Sequence, residues 1–169
     1  IGGGIVIVPT LSFIFSFSHK EAIATSLLTI TFIAAANVLR FQKARLINWN
    51  IVFLVAVFSS LFSMLAAYLA TFIHERLLML FFVGFLFYLS WRTFMVRQSR
   101  LAPDFSKKNY FTGSKIGMIS GFVSGFAGVG GGAITTPMLL TYKLSDNRHV
   151  VPDSNGIMMF TAAFGALLF

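Results

Sequence analysis

The chain has 169 residues, of which 57% are hydrophobic and 11% charged, with a net charge of +8 and no cysteine. An ordinary soluble domain carries about 25% charged residues, and a disordered chain is poor in apolar ones, so both classes are excluded. The absence of cysteine removes disulfides, zinc–thiolate sites and thiol nucleophiles, and the basic residues lie in gaps between long apolar runs rather than on a wet face, which argues against any nucleic-acid partner. Residues 1–18 form an apolar run opened by Gly2, Gly3 and Gly4. Residues 21–39, 49–73 and 77–96 each approach or exceed the ~20 apolar residues that cross a hydrocarbon core of roughly 30 Å. Trp49 and Trp91 lie near span ends, as interfacial anchors do. Residues 97–112 are the longest polar stretch. Residues 113–142 are apolar again but carry Gly128, Gly130, Gly131 and Gly132 in their middle. Residues 150–169 make a further run that begins with Pro152 and Asp153.

Helices with no polar face cannot be shown to water, so the pattern predicts an all-α, polytopic integral membrane protein. The chain opens at Ile1 and stops at Phe169 inside an apolar run, and is read as a piece of a longer membrane protein. Consecutive glycines cost a helix about 1 kcal/mol each. The first and the fifth run therefore each predict two half-helices joined by an unwound glycine segment. Such backbone is tolerated at membrane depth only inside protein or beside a wet cavity. Pro9 and Pro137 follow the two triplets. Either they stand in the first turn of the second half-helix, with Thr136 as a cap, or that helix starts near Ile5 and the proline kinks it.

A shift of 128 residues places the segment 1–11 on 129–139, glycine triplet on glycine triplet and Pro9 on Pro137. Without a gap, Ser26 then falls on Ser154, Phe32 on Phe160, Ala34 and Ala35 on Ala162 and Ala163, and Leu39 on Leu167. We read a duplication: a first repeat over 1–96, a cytoplasmic linker over 97–112 and a second repeat over 113–169. Paired repeats with glycine- and proline-interrupted helices are the sequence mark of secondary transporters.

GGGIVIVPTL, AIATSLLTITFIAAANVLRFQKARLINW and SGFVSGFAGVGGGAITTPMLL together resemble the TauE/SafE group of membrane permeases. The resemblance covers nearly the whole chain. It implies a multi-pass protein of the cell membrane, the inner membrane in a bacterium, that exports sulfite or small organosulfonates. The second serine loop departs from the Ala24-Thr25-Ser26 pattern and reads Pro152-Asp153-Ser154-Asn155-Gly156.

Successive amides without side chains form a concave nest for anions, and the N-terminus of the following half-helix adds partial positive charge. The expected substrate-binding residues are therefore Gly2, Gly3, Gly4, Gly130, Gly131 and Gly132, with hydroxyl and amide donors from Thr25, Ser26, Ser154 and Asn155. Asp153 is the repeat mate of Thr25. It would repel an anion unless it took up a proton, so it is a candidate for the coupling proton; the alternative is a cap, in water, on a helix beginning at Ser154. Asn37 faces the stripe of another helix as a packing hydrogen bond, and Gly113, Gly117, Gly121 and Gly125 form a small-residue stripe for close packing.

No catalytic constellation is present, so no enzyme is expected; a membrane-embedded enzyme or a non-transporting scaffold is the alternative class. His19, His74 and His149 are scattered, and no metal site is expected. Gly128, Gly130 and Ala133 match a relaxed dinucleotide fingerprint whose flanks are transmembrane, so no cofactor is expected. The partners are a small anionic substrate and the lipid bilayer, and the reading admits a homodimer. Arg40, Lys43 and Arg45 share a side with Arg97, Arg100, Lys107 and Lys108, which the positive-inside rule makes cytoplasmic. Lys143 and Arg148 join them only if residues 113–142 enter and leave on one face.

Overall fold

The computed structural model describes residues 3–95, 110–142 and 144–168. Among them are seven α-helices and no strand: α1 Gly4–Phe13, α2 His19–Lys43, α3 Trp49–Phe72, α4 Glu75–Met95, α5 Tyr110–Ala127, α6 Gly132–Thr141 and α7 Val150–Ala166. The linker over 97–109, with its basic residues, lies outside the described residues, as do Gly2 and Lys143.

α2 begins where its sequence dictates. The Ser18 hydroxyl accepts from the Glu21 amide at 3.3 Å, and the Glu21 carboxylate accepts from the Ser18 amide at 3.0 Å. This reciprocal capping box satisfies two donors that the first turn leaves over. At the other end Arg40 and Lys43 face the negative end of the helix dipole. Arg45 takes φ +54, and the Leu46 amide closes on the Phe41 carbonyl at 3.1 Å, ending the helix. At 25 and 24 residues, α2 and α3 are apolar and long enough to cross a membrane.

The core is apolar, yet it also holds hydroxyls, and the surface is apolar too. Ser26, Ser59, Ser63, Ser120, Ser124 and Thr161 are buried, while Phe32, Phe72, Phe87 and Phe111 each expose over 70% of their surface. Hydroxyls inside and phenylalanine outside is an arrangement that lipid stabilises and water does not.

Contacts fix how the helices run. A methyl at Gly117 would stand 2.6 Å from the Val55 carbonyl oxygen, and one at Gly125 would stand 2.5 Å from that of Ser63. Gly113 meets Leu54, and Gly121 lies against the Ser59 backbone. The glycine stripe of α5 is thus the face on α3, and the two helices are parallel. α7 is also parallel to α3: Gly156 faces Val52, the Thr161 and Ser59 hydroxyls pair, and Gly165 faces Ser63. α2 runs against both, since Asn37 donates to Asn155 at 3.0 Å while Leu27 meets Gly165.

α5 ends at Ala127, and α6 starts at Gly132 and turns back. Its Leu139 joins Val52, Val55 and Ile116 in one buried cluster, at the end where α3 and α5 begin. The ring of His149, after α6, lies 2.7 Å from the Leu46 carbonyl oxygen in the α2–α3 loop. These two loops therefore share one end of the bundle. At the opposite end Lys20 donates to the Thr71 carbonyl at 2.7 Å. α1 runs from Gly4, beside Val129, toward that opposite end, so α1 and α6 point in opposite directions.

Pro9 and Pro137 both lie inside their helices, at the sixth position, rather than in the first turn. Each deprives the carbonyl four residues back, of Ile5 or Ala133, of its helical donor. Thr136 is accordingly not a cap.

Two outcomes follow. Gly121→Ala forces a methyl into the α3 backbone, and overpacking of that kind costs about 1–3 kcal/mol; the yield of folded protein, read by size-exclusion chromatography in detergent, should fall sharply. Ser16→Cys and Asn147→Cys sit on exposed loops at opposite ends of a chain without native cysteine. A membrane-impermeant maleimide should label them from opposite faces, and labelling of both from one face would reject this arrangement.

Candidate functional site

The break between α5 and α6 lies in the middle of the bundle. Gly130 abuts Ile30 and Met158, where a methyl would stand 2.6 Å from Ile30 Cγ2 and 3.2 Å from Met158 Cγ. Ile30 is within one residue of the midpoint of α2, and Met158 is the midpoint of α7. Residues 124–132 are all buried. Gly128, Gly130 and Gly131 take φ of +65, +70 and +73, the left-handed region that only glycine enters without strain.

The hydrogen bonds of this segment stop and restart around a gap. The Gly128 amide donates to the Ser124 carbonyl at 2.9 Å, and the amides of Ile134 and Thr135 donate to the Gly131 carbonyl at 3.0 and 2.9 Å. Between them, the amides of Val129, Gly130, Gly131, Gly132 and Ala133 meet no acceptor among the described residues. Buried amides are almost always paired, and leaving one unpaired costs roughly 1–3 kcal/mol. Residues 129–132 are buried and Ala133 is half-buried; the amides of Gly131, Gly132 and Ala133 are those that any helix start leaves over, and Val129 and Gly130 extend the open run at the positive end of a ten-residue helix.

The expected site residues divide. Gly4, Gly130, Gly131, Gly132, Ser26 and Ser154 come together around the break. The Ser26 hydroxyl donates to the Gly128 carbonyl at 2.7 Å, fully buried, so its proton serves the break's own backbone. The Thr136 hydroxyl donates to Ser154 Oγ at 2.9 Å, and Ser154 lies beside Gly132. Gly4 is where α1 touches the break: a methyl there would stand 2.7 Å from Val129 Cα. The first triplet differs from the second, because Gly3 is right-handed at φ −59 and Gly4 already belongs to α1.

Thr25, Asn155 and Asp153 lie elsewhere. Thr25 accepts, through its carbonyl, the hydroxyl of Thr29 one turn on. Asn155 is occupied by Asn37 and by the Val151 carbonyl. Asp153 does not cap a helix in water. α7 begins earlier, at Val150, since proline is tolerated in a first turn. Asp153 is then fully buried, accepting the Asn48 amide at 2.7 Å and the Ser145 hydroxyl at 2.6 Å. It ties the α2–α3 loop to the α6–α7 loop.

Gly128, Ser124 and Thr135 were not expected. Gly128 has no repeat partner within the chain, and Ser124 reads in sequence as one more small residue of a packing stripe. Their closeness to Gly131 arises only when α6 folds back.

Removing the Asp153 carboxylate removes two charge-assisted bonds, each worth about 1.5–3 kcal/mol. Asp153→Ala should lower the thermal midpoint clearly more than Asp153→Asn, which keeps the shape and one acceptor.

The family profile described as "Sulfite exporter TauE/SafE" matches residues 1–169. A "probable membrane transporter protein" of Methanocaldococcus jannaschii is 28% identical over 174 residues, covering 99% of this chain and 64% of that protein. Another of that description, from Bacillus subtilis strain 168, is 24% identical over 191 residues, covering 99% of this chain and 70% of its own. The chain thus spans about two thirds of the length of the curated relatives it matches. No solved structure matches it. A helical bundle with an apolar surface and a family match along its whole length lead to one conclusion: the chain is a membrane protein and belongs to the TauE/SafE family.

Proposed function

We propose that the chain forms the core of a secondary transporter that carries a small anion across the cell membrane. The observation that carries this reading is the run of five amides, Val129 to Ala133, without a backbone acceptor, four of them on buried residues, halfway along α2 and α7. A small oxyanion would fill it, its negative oxygens taking the hydrogen bonds that the backbone leaves open. The family description favours sulfite or an organosulfonate over other oxyanions. No lysine or arginine is among the described residues in contact with the break, so backbone dipoles do the binding.

The same reading makes α5 and α6 a re-entrant hairpin that enters and leaves on the cytoplasmic face. The loops held together by Asp153 and His149 then carry Arg40, Lys43, Arg45 and Arg148 on one side, as the positive-inside rule asks. α1–α2 and α6–α7 become inverted repeats. Three observations support this. α1 and α6 occupy the same ten positions under the 128-residue shift and run oppositely. Asn37 meets Asn155 while their repeat mates, Gly165 and Leu27, meet each other. Ile30 and its mate Met158 flank Gly130 together. Inverted repeats crossing at a midplane site are a known route to alternating access.

Purified protein in proteoliposomes should move labelled sulfite and methanesulfonate. Gly131→Val puts a β-branched side chain at φ +73 inside the nest and should abolish that flux while the folded fraction stays monodisperse. Wild-type flux from folded Gly131→Val protein would sink the reading.

A further inference from the structure

Ser124 stands on α5 one turn before the break and is fully buried. Its hydroxyl has no hydrogen-bond partner. A buried hydroxyl left unpaired costs stability, and alanine in its place would not. The neighbours of Gly131 place the Ser124 Cβ, which carries this hydroxyl, beside the break. A methyl at Gly131 would stand 3.6 Å from Ser124 Cβ, 3.3 Å from the Ser120 carbonyl oxygen and 3.7 Å from Thr135 Oγ1. The hydroxyls of the two neighbouring residues are engaged: Thr135 donates to the Gly131 carbonyl at 2.9 Å, and Ser120, whose carbonyl oxygen faces Gly131, donates its hydroxyl to the Gly117 carbonyl at 3.2 Å. Ser124 alone keeps its proton, beside an amide that also keeps its own.

We propose that Ser124 is a side-chain ligand of the substrate: its hydroxyl donates to one oxygen of a bound oxyanion while the amides of residues 130–133 take the others. The inference rests on the anion reading of the break and deepens it. Backbone donors approach from α6 and the hydroxyl from α5. Donors arriving from two helices suit a ligand with several divergent acceptor oxygens, such as sulfite or a sulfonate, better than a spherical halide with no preferred direction. The ligand also bridges the two arms of the α5–α6 turn, so binding and the spacing of those arms are coupled.

The hydroxyl's two effects have opposite sign, and that is the basis of the test. In the full-length protein, Ser124→Ala should weaken methanesulfonate and sulfite binding roughly 2- to 12-fold, the worth of one ordinary hydrogen bond. The ligand-free thermal midpoint should stay level or rise, because an unpaired buried polar group is gone. Ser63→Ala, which removes another buried hydroxyl without a partner but beside Gly125 and Gly165, should leave affinity unchanged. Gly131→Ala tests the underlying site and should abolish binding. If Gly131→Ala abolishes binding while Ser124→Ala binds as wild type, the amide site stands and the role of Ser124 is lost. A Ser124→Ala protein that loses ligand-free stability in step with affinity makes the residue structural and overturns the proposal. Wild-type affinity in folded Gly131→Ala and Ser124→Ala protein alike removes the anion site itself.

Discussion

A backbone amide inside a bilayer has no water to turn to. Helices solve this within themselves, and each interruption of a helix reopens it. The turn between α5 and α6 is such an interruption, and the surrounding structure can be understood as its containment. Three glycines supply left-handed angles. Ser26 takes up the Gly128 carbonyl, Thr135 reinforces the Gly131 carbonyl, and α1 closes over Val129 through the missing side chain of Gly4. The carbonyls of Gly128 and Gly131 are served at this turn, while the amides of Val129 to Ala133 meet no backbone acceptor.

Charge is instead kept to the ends. Asp153 is the exception in burial, and it is satisfied by two donors from two loops. With the His149 contact to Leu46, it makes one end of the bundle a braced unit. The opposite end is held more loosely, through Lys20 and the Thr71 carbonyl.

Much of this architecture can be read from the residues. The uncharged run 49–73 is α3 to within one residue, and the glycine stripe of α5 packs as its four-residue spacing implies. The sequence leaves two starts open for the helix after each triplet, at the proline or before it; α6 starts at Gly132, and the left-handed Gly131 ahead of it leaves no mark in composition. α2 reaches past its apolar run at both ends, because the Ser18–Glu21 box and the basic last turn extend a helix beyond the hydrocarbon. Asp153 and Ser124 were not legible. The role of each is set by a partner 100 residues away, or by a turn that folds one helix back on another, and neither leaves a local pattern. Serines that bind and serines that pack look the same until the opposite wall is in place.

The seam between α5 and α3 has a mechanical side. Backbone of α3 sits in notches on α5 that recur every four residues, about 6 Å of helix rise. Helices meshed like a rack and pinion tooth cannot creep past one another by small amounts; they hold register or jump a whole notch. α3, α5 and, through its own small-residue contacts, α7 should therefore travel as a single rigid block. Relative motion of the helices must then be accommodated where α1, α2 and α4 meet that block, and the glycine turn, continuous with α5, stays with the block.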